Sequence, residues 1–193
     1  NSATGTVTFQ IDSAPPATTI GSHVSGDPVA GAVTVTGAVS DATSGVNSVE
    51  VSVDGGPWNA ATITGGTWSY TFSTIALSDG TVTVAVRGTD VAGNVQPVSG
   101  AGATSISLLV DNTRPAVSHS LSGTPGLAGW YVSDAAVTVT ASDSGCGVGS
   151  ITLNGAAYTS PVTVSAQGAT SWPYFATDNA GNNSAAGAAA FQI

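Results

Sequence analysis

The chain has 193 residues, with 2 basic side chains against 11 acidic ones, a net charge of −9, a pI near 4.1 and no lysine. Without a cationic footprint to displace counterions, nucleic acid and anionic membrane surfaces are poor partners. Only 7% of the residues are charged, and the 41% that are hydrophobic fall in short alternating runs with no stretch near 18 apolar residues, which counts against both a disordered linker and a membrane-inserted segment.

In chain order, Val7, Phe9 and Ile11 alternate with small polar residues, which predicts a strand over residues 1–11, and Asp12-Ser13-Ala14-Pro15-Pro16 then reads as a linker. Val33-Thr34-Val35-Thr36, Val49-Glu50-Val51-Ser52-Val53, Trp68-Ser69-Tyr70-Thr71-Phe72, Val82-Thr83-Val84-Ala85-Val86 and Ile106-Ser107-Leu108 each place apolar side chains on one face. That is the pattern of a half-buried antiparallel strand. A second linker follows at Leu108 to Pro115, and the plan resumes in Val137-Thr138-Val139, Ile151-Thr152-Leu153 and Val162-Thr163-Val164. Asp54-Gly55-Gly56-Pro57 and Asn154-Gly155 punctuate the runs, the latter a hairpin signal. Trp68, Tyr70 and Phe72 share a face and are expected in a core, as are Trp172 and Tyr174. Pro173 and Phe175 alternate with that inward pair, so they are expected to point outward and offer an interaction face. With no helical periodicity anywhere, the expected fold is all-β, as two sandwiches of roughly seven strands each.

The chain also repeats itself. Asn183–Ile193 matches Asn1–Ile11 without gaps at seven of eleven positions. Ser40-Asp41-Ala42-Thr43-Ser44-Gly45-Val46 matches Ser142-Asp143-Ser144-Gly145-Cys146-Gly147-Val148, and Thr89-Asp90-Val91-Ala92-Gly93-Asn94 matches Thr177-Asp178-Asn179-Ala180-Gly181-Asn182. These landmarks divide the chain into residues 12–111 and 112–193, each near the size of a single-core domain. Residues 1–11 are then the terminal strand of a preceding repeat, or a strand donated to a neighbouring copy, and the chain is expected to be a window on a longer repetitive protein.

Gly129-Trp130-Tyr131-Val132-Ser133, Val137 to Asp143, Ala176 to Asn182, Ser44-Gly45-Val46, Val53 to Trp58 and Thr89 to Asn94 together resemble the bacterial Ig-like repeat family, over nearly the whole chain. The resemblance implies two tandem Ig-like β-sandwiches in a secreted or cell-surface protein. It implies a non-catalytic role as surface stalk, adhesin shaft or filament building block, in contact with further repeats, like subunits or surface and matrix glycans. The other role open to such modules is an accessory or carbohydrate-binding spacer of a secreted polysaccharide-degrading enzyme.

In a sandwich of that kind Asp12, Asp41 and Asp90 converge on one pole, and Asp111, Asp143 and Asp178 on another. With Asn94 and Asn182 and loop carbonyls they offer oxygens of the sort Ca²⁺ requires, six to eight in all. The alternative is that each Asp caps loop amides in an Asx-turn. Cys146 is the sole cysteine, either a small residue at a Ser position or one half of an intermolecular disulfide. His23 and His119 each follow a linker, which suggests one repeated structural place, and there is neither a Gly-x-Ser-x-Gly motif nor a zinc spacing. Glu50, the only glutamate, alternates with Val49 and Val51 and is expected on a solvated face, while Trp58 and Trp130 are suited to stack sugars if exposed.

Overall fold

A computed structural model describes residues 7–193 of the chain, and every alternating run named above beyond Ile11 lies in a strand, with no helix among the described residues. The N-terminal half forms two sheets. One has the order β1 (Ala17–Thr18), β3 (Ala32–Ser40), β7 (Thr67–Ser73), β6 (Thr62–Thr64). The other runs β2 (Pro28–Val29), β9 (Thr104–Val110), β8 (Gly80–Asp90), β4 (Val46–Val53), β5 (Asn59–Ala60). Val33, Val35, Val39 and Trp68 of the first sheet are buried, as are Val49, Val51, Val82, Val84, Val86, Ile106 and Leu108 of the second. Tyr70 and Phe72, on the same face as Trp68, are only half-buried.

One close approach needs glycine. A Cβ at Gly37 would lie 1.7 Å from the Thr19 carbonyl oxygen and 2.9 Å from Trp68 Nε1, which itself donates to that oxygen at 3.0 Å. The segment after β1 therefore crosses directly over β3.

The C-terminal half forms a sheet β10 (Ala116–Ser122), β11 (Ala135–Ser142), β14 (Val162–Val164) and a sheet β13 (Ala156–Ala157), β12 (Val148–Leu153), β15 (Ala169–Asp178), β16 (Gly187–Gln192). Ala135, Val137, Val139, Leu153, Val164, Tyr174, Ala189 and Phe191 make its core. The Asn154-Gly155 signal is realised as the turn between β12 and β13, both residues having positive φ (50° and 79°), the backbone that favours two-residue hairpins. Along β15 the alternation holds: Tyr174 is buried and Trp172 half-buried, whereas Pro173 and Phe175 are exposed.

Of the segment expected as the terminal strand of a preceding repeat or of a neighbouring copy, residues 7–11 are not in a strand of this chain, and residues 1–6 lie outside the described residues. A single strand has no ladder of its own and requires a sheet edge; Phe9 and Ile11 are 82% and 85% exposed. The two histidines do not share a place either. His23 lies in an exposed loop against the Ser22 hydroxyl, whereas His119 is within β10 and its Nδ1 is 2.9 Å from Tyr174 Oη.

Two compact units result, with a boundary more convoluted than a single cut at Asp111. The first holds the described residues up to Asp27 together with Ala32–Phe72 and Thr81–Leu108; the second holds Pro28–Gly31, Ser73–Gly80 and Leu109–Ile193. Within the second, Val29 pairs in parallel with Val110, and Asn112 gathers the 73–80 loop by donating from Nδ2 to the Thr74 and Leu77 carbonyls. Asp79 accepts from the Asn112 amide and the Thr113 hydroxyl.

Candidate functional site: two matching aspartate clasps

In the first unit the loop after β3 and the end of β8 bring Asp41 and Asp90 to the linker residue Asp12, with one carboxylate oxygen of each within 4.8 Å of the others. Each carboxylate is turned onto backbone amides. Asp12 accepts from Ala14 N and Ser44 N, and Asp41 Oδ1 accepts from the amides of Thr43, Ser44 and Gly45. Buried Asp90 accepts from Asn94 N and Asn94 Nδ2, and the same Nδ2 donates to the carbonyl of Asp12. Ser44 closes the group by accepting the Ala92 amide on its hydroxyl. Linker and both loops are thus tied by one connected set of bonds.

The second unit repeats these bonds almost one for one. Asp111 accepts from Thr113 N and Cys146 N, and Asp143 Oδ2 from Gly145 N and Gly147 N. Asp178 accepts from Ala180 N, Asn182 N and Asn182 Nδ2, and that Nδ2 donates to the carbonyl of Asp111. The Cys146 sulfur takes the place of the Ser44 hydroxyl, accepting the Ala180 amide at 3.1 Å. The repeat found in the sequence therefore encodes a specific polar arrangement, since Asp and Asn are the residues whose short side chains reach their own loop amides.

One difference separates the two clasps. The group whose ligand atoms lie within 4.8 Å of one another in the second unit is Asp111, Cys146 and Asp178, without Asp143. Asp143 is turned to its own loop, and its Oδ1 is the one buried side-chain oxygen or nitrogen among the described residues with no hydrogen-bond partner. A thiol is a soft donor and a poor substitute for a carboxylate toward a hard ion such as Ca²⁺. In both clasps each carboxylate accepts loop N–H groups, the arrangement of Asx-turns, while Asp143 Oδ1 stays buried without a partner.

Hydrogen bonds from Ser44 and from the Ala14 amide hold the Asp12 carboxyl below its ordinary range, and the Thr113 hydroxyl and Asn112 amide do the same for Asp79. Burial, with the Asp111 carboxylate beside it, pushes the Cys146 thiol up to about 11. A half-buried thiol kept protonated in this way is a poor nucleophile for disulfide exchange.

Elsewhere, Glu50 and Arg87 form the one ion pair among the described residues, at 2.8 Å, and the Arg87 guanidinium lies 4.3 Å from the Trp58 ring centroid. Glu50 is thus not simply solvated, and one face of Trp58 is covered. Gln96 is buried, with Oε1 accepting from Thr18 Oγ1 and Gly88 N and Nε2 donating to Gly102 O and Thr104 Oγ1.

Facing β-sheets with buried alternate residues, Gly/Asn turns and loop poles define the Ig-like sandwich class. Residues 16–86 match the family described as a bacterial Ig domain. Among solved structures it is similar to the fibronectin(III)-like modules of CbhA from Clostridium thermocellum, with 16% identity over 91% of this chain and 93% of that one and a TM-score of 0.52, which supports the sandwich fold. More distant similarities are to an endo-β-1,4-mannanase from Thermotoga petrophila (18% identity, 53% of this chain, 21% of that one, TM-score 0.44) and to dimeric latent PorU from Porphyromonas gingivalis (14%, 93%, 20%, 0.38). No curated protein matches.

Proposed function

We propose that this chain is a non-catalytic structural segment of an extracellular bacterial protein, a shaft or stalk built of Ig-like modules in series. The observation that supports the reading is the duplicated clasp. In both units the residue that leads the chain into the module, Asp12 or Asp111, is bonded to the loop after β3 or β11 and, through Asn94 or Asn182, to the loop that closes the sheet. Tension arriving through the linker is then shared by several hydrogen bonds at once, so no strand is peeled from its end one bond at a time. Such a feature serves a tether more directly than it serves a binding face.

Single-molecule pulling on the full chain tests this. Two separate unfolding events are expected, each releasing on the order of 300 Å of chain at about 3.5 Å per residue. Asn94→Ala should lower the force of one event and Asn182→Ala that of the other. Extension without discrete events, or variants that leave both forces unchanged, would overturn the proposal.

The spacer or carbohydrate-binding alternative is favoured by one observation. Trp130 is 42% exposed on a loop bearing Leu127 and Val132, at 89% and 70%. Retarded migration in gels containing soluble polysaccharide, abolished by Trp130→Ala, is the result that would select it.

A further inference from the structure

Each of the four sheets ends in two edge strands, and among the described residues one of these edges is both long and open. Strands β1, β2, β5 and β13 have two residues each and β6 and β14 have three, too few to hold a partner. Strand β16 is longer, but Tyr131 N donates to Gln192 O at its rim and Gln192 Nε2 donates to Ala128 O. Strand β10 pairs with β11 over seven residues, from Ala116↔Ser142 to Ser122↔Ala136, and has no strand on its other side. Antiparallel alternation decides which of its backbone groups are free. Val139 N donates to Tyr158 Oη, away from β10, so Thr138 and Thr140 are the β11 residues that bond Ser120 and Ser118. The backbone N–H and C=O groups of Val117, His119 and Leu121 therefore point outward, and no loop or side chain among the described residues bonds them. In the first unit the corresponding carbonyls are closed: Thr18 O accepts from Thr104 Oγ1 and Thr19 O from Trp68 Nε1. Natural edges are blunted by lysine, proline, bulges or inward charges, and Ala116-Val117-Ser118-His119-Ser120-Leu121-Ser122 has none of these devices.

We propose that β10 is a lateral self-association edge, pairing antiparallel with β10 of a second copy about a two-fold axis at His119. The strand reads alike from both ends around that residue, so Val117 meets Leu121 of the second copy, Ser118 meets Ser120, and His119 meets its own counterpart. In this register all three open residues fall in hydrogen-bonded pairs, and three pairs exchanging two bonds each supply six N–H···O bonds. A slip of one residue would set open groups against groups already bonded to β11. Val117 and Leu121, packed on the rim of the core, cover one another across the axis. The exposed Ser118 and Ser120 form the non-hydrogen-bonded pairs, where side chains approach most closely. A second copy is the occupant because the strand complements itself and carries no carboxylate in a chain of net charge −9, so two copies meet where their repulsion is least. An isologous contact closes on two molecules, unlike the serial joining of modules. One strand pair covers little surface, which places the dimer among weak, reversible interfaces of less than about 1,200 Å². It adds a sideways contact to a shaft or a spacer alike and depends on neither role.

Sedimentation of the full chain over a concentration series reads the association, and amide exchange locates it. The mass should rise from 18.6 kDa toward twice that value. Over the same series the amides of Val117, His119 and Leu121 should slow by about tenfold, while those of Ser118 and Ser120, already bonded to β11, keep their rates. A chain carrying Ser118→Lys and Ser120→Lys, and another carrying Ser118→Glu and Ser120→Glu, set like charges across the axis, so each should stay monomeric; mixed, they should restore the dimer as a heterodimer. Both serines are exposed, and unchanged melting of the C-terminal sandwich separates lost pairing from lost folding. A chain that remains at 18.6 kDa into the millimolar range overturns the proposal. So does association that survives either charge variant, which would move the contact to another surface such as exposed Val7, Phe9 and Ile11. A mixture of the two variants that stays monomeric removes the register at His119, and amides of Val117, His119 and Leu121 protected already in the dilute chain would show the edge closed from within.

Discussion

Removing the Asp178 carboxylate is the most direct perturbation of the clasp. Asp178 is 4% exposed and accepts three bonds, from Ala180 N at 2.9 Å, Asn182 N at 2.8 Å and Asn182 Nδ2 at 2.8 Å. Bonds to a charged acceptor contribute about 1.5–3 kcal/mol each, which bounds the gross loss in Asp178→Ala at roughly 5–9 kcal/mol. The substitution also removes the desolvation cost of a buried carboxylate, several kcal/mol, leaving a net destabilisation of about 3 kcal/mol. For a domain of this size each kcal/mol lowers Tm by about 4–8 °C, so a fall of roughly 12–24 °C is expected for the C-terminal sandwich. Differential scanning calorimetry combined with amide exchange of β15 reads this out, and the transition of the N-terminal sandwich serves as the internal reference. Asp178→Asn is the discriminating companion. It keeps one oxygen for the two backbone amides but sets its own NH₂ against Asn182 Nδ2, so a smaller loss of about 1–2 kcal/mol is expected. A loss below about 1 kcal/mol for the Ala variant, or equal losses for Ala and Asn, would refute the hydrogen-bond reasoning.

Chelation should leave both melting transitions unmoved if the loop amides alone hold the clasp carboxylates; a rise in Tm on adding Ca²⁺, lost in Asp90→Ala, would place an ion among Asp12, Asp41 and Asp90. Cys146, its thiol pushed up to about 11 from 9.0, should be alkylated at pH 8 about 100-fold more slowly in the folded than in the unfolded chain, and equal rates by mass spectrometry would contradict its burial. Asp12 and Asp79 have depressed folded-state values, so the stability they contribute is present above the unfolded carboxyl pKa of about 3.9 and is lost as pH falls through the folded values. Melting followed from pH 5 to pH 2 should show Asp79→Asn flattening that decline, and an unchanged profile would remove Asp79 from the account. Gly187→Ala would place a Cβ 2.2 Å from the Tyr174 ring and should cost about 1–3 kcal/mol, with loss of the His119–Tyr174 contact by NMR.

Much of the fold was legible because burial in a sandwich imposes a period of two, and Val-Thr alternation writes that period openly. The clasps were legible for a different reason: a duplicated Asp-Gly-Asn vocabulary at fixed distances marks positions that hydrogen-bond locally. Long-range polar partnerships carry no such mark. Nothing beside Gln96 announces that it joins Thr18, Gly88 and Thr104, and nothing in Asp79 points to Asn112. The exchange of Asp143 for Cys146 in the second cluster was equally hidden, because alignment fixes which residues correspond but not how each carboxylate turns. Strand β10 alternates Val117, His119 and Leu121 with serines and alanine, and so few large apolar residues leave a faint signal.

The two ways in which the second linker is held differ in what they would survive if genetic recombination rearranged such repeats. The bonds among Asp111, Cys146, Asp178 and Asn182 draw only on residues downstream of the last strand of the first sandwich, so a crossover just before the aspartate would transplant them whole. The anchorage of Asn112 draws on Thr74, Leu77 and Asp79, far upstream, and the corresponding residue of the first linker is Ser13. A shuffled module would therefore arrive with its clasp intact but would keep the seat of Asn112 only if residues 73–80, which belong to the same compact unit, travelled with it.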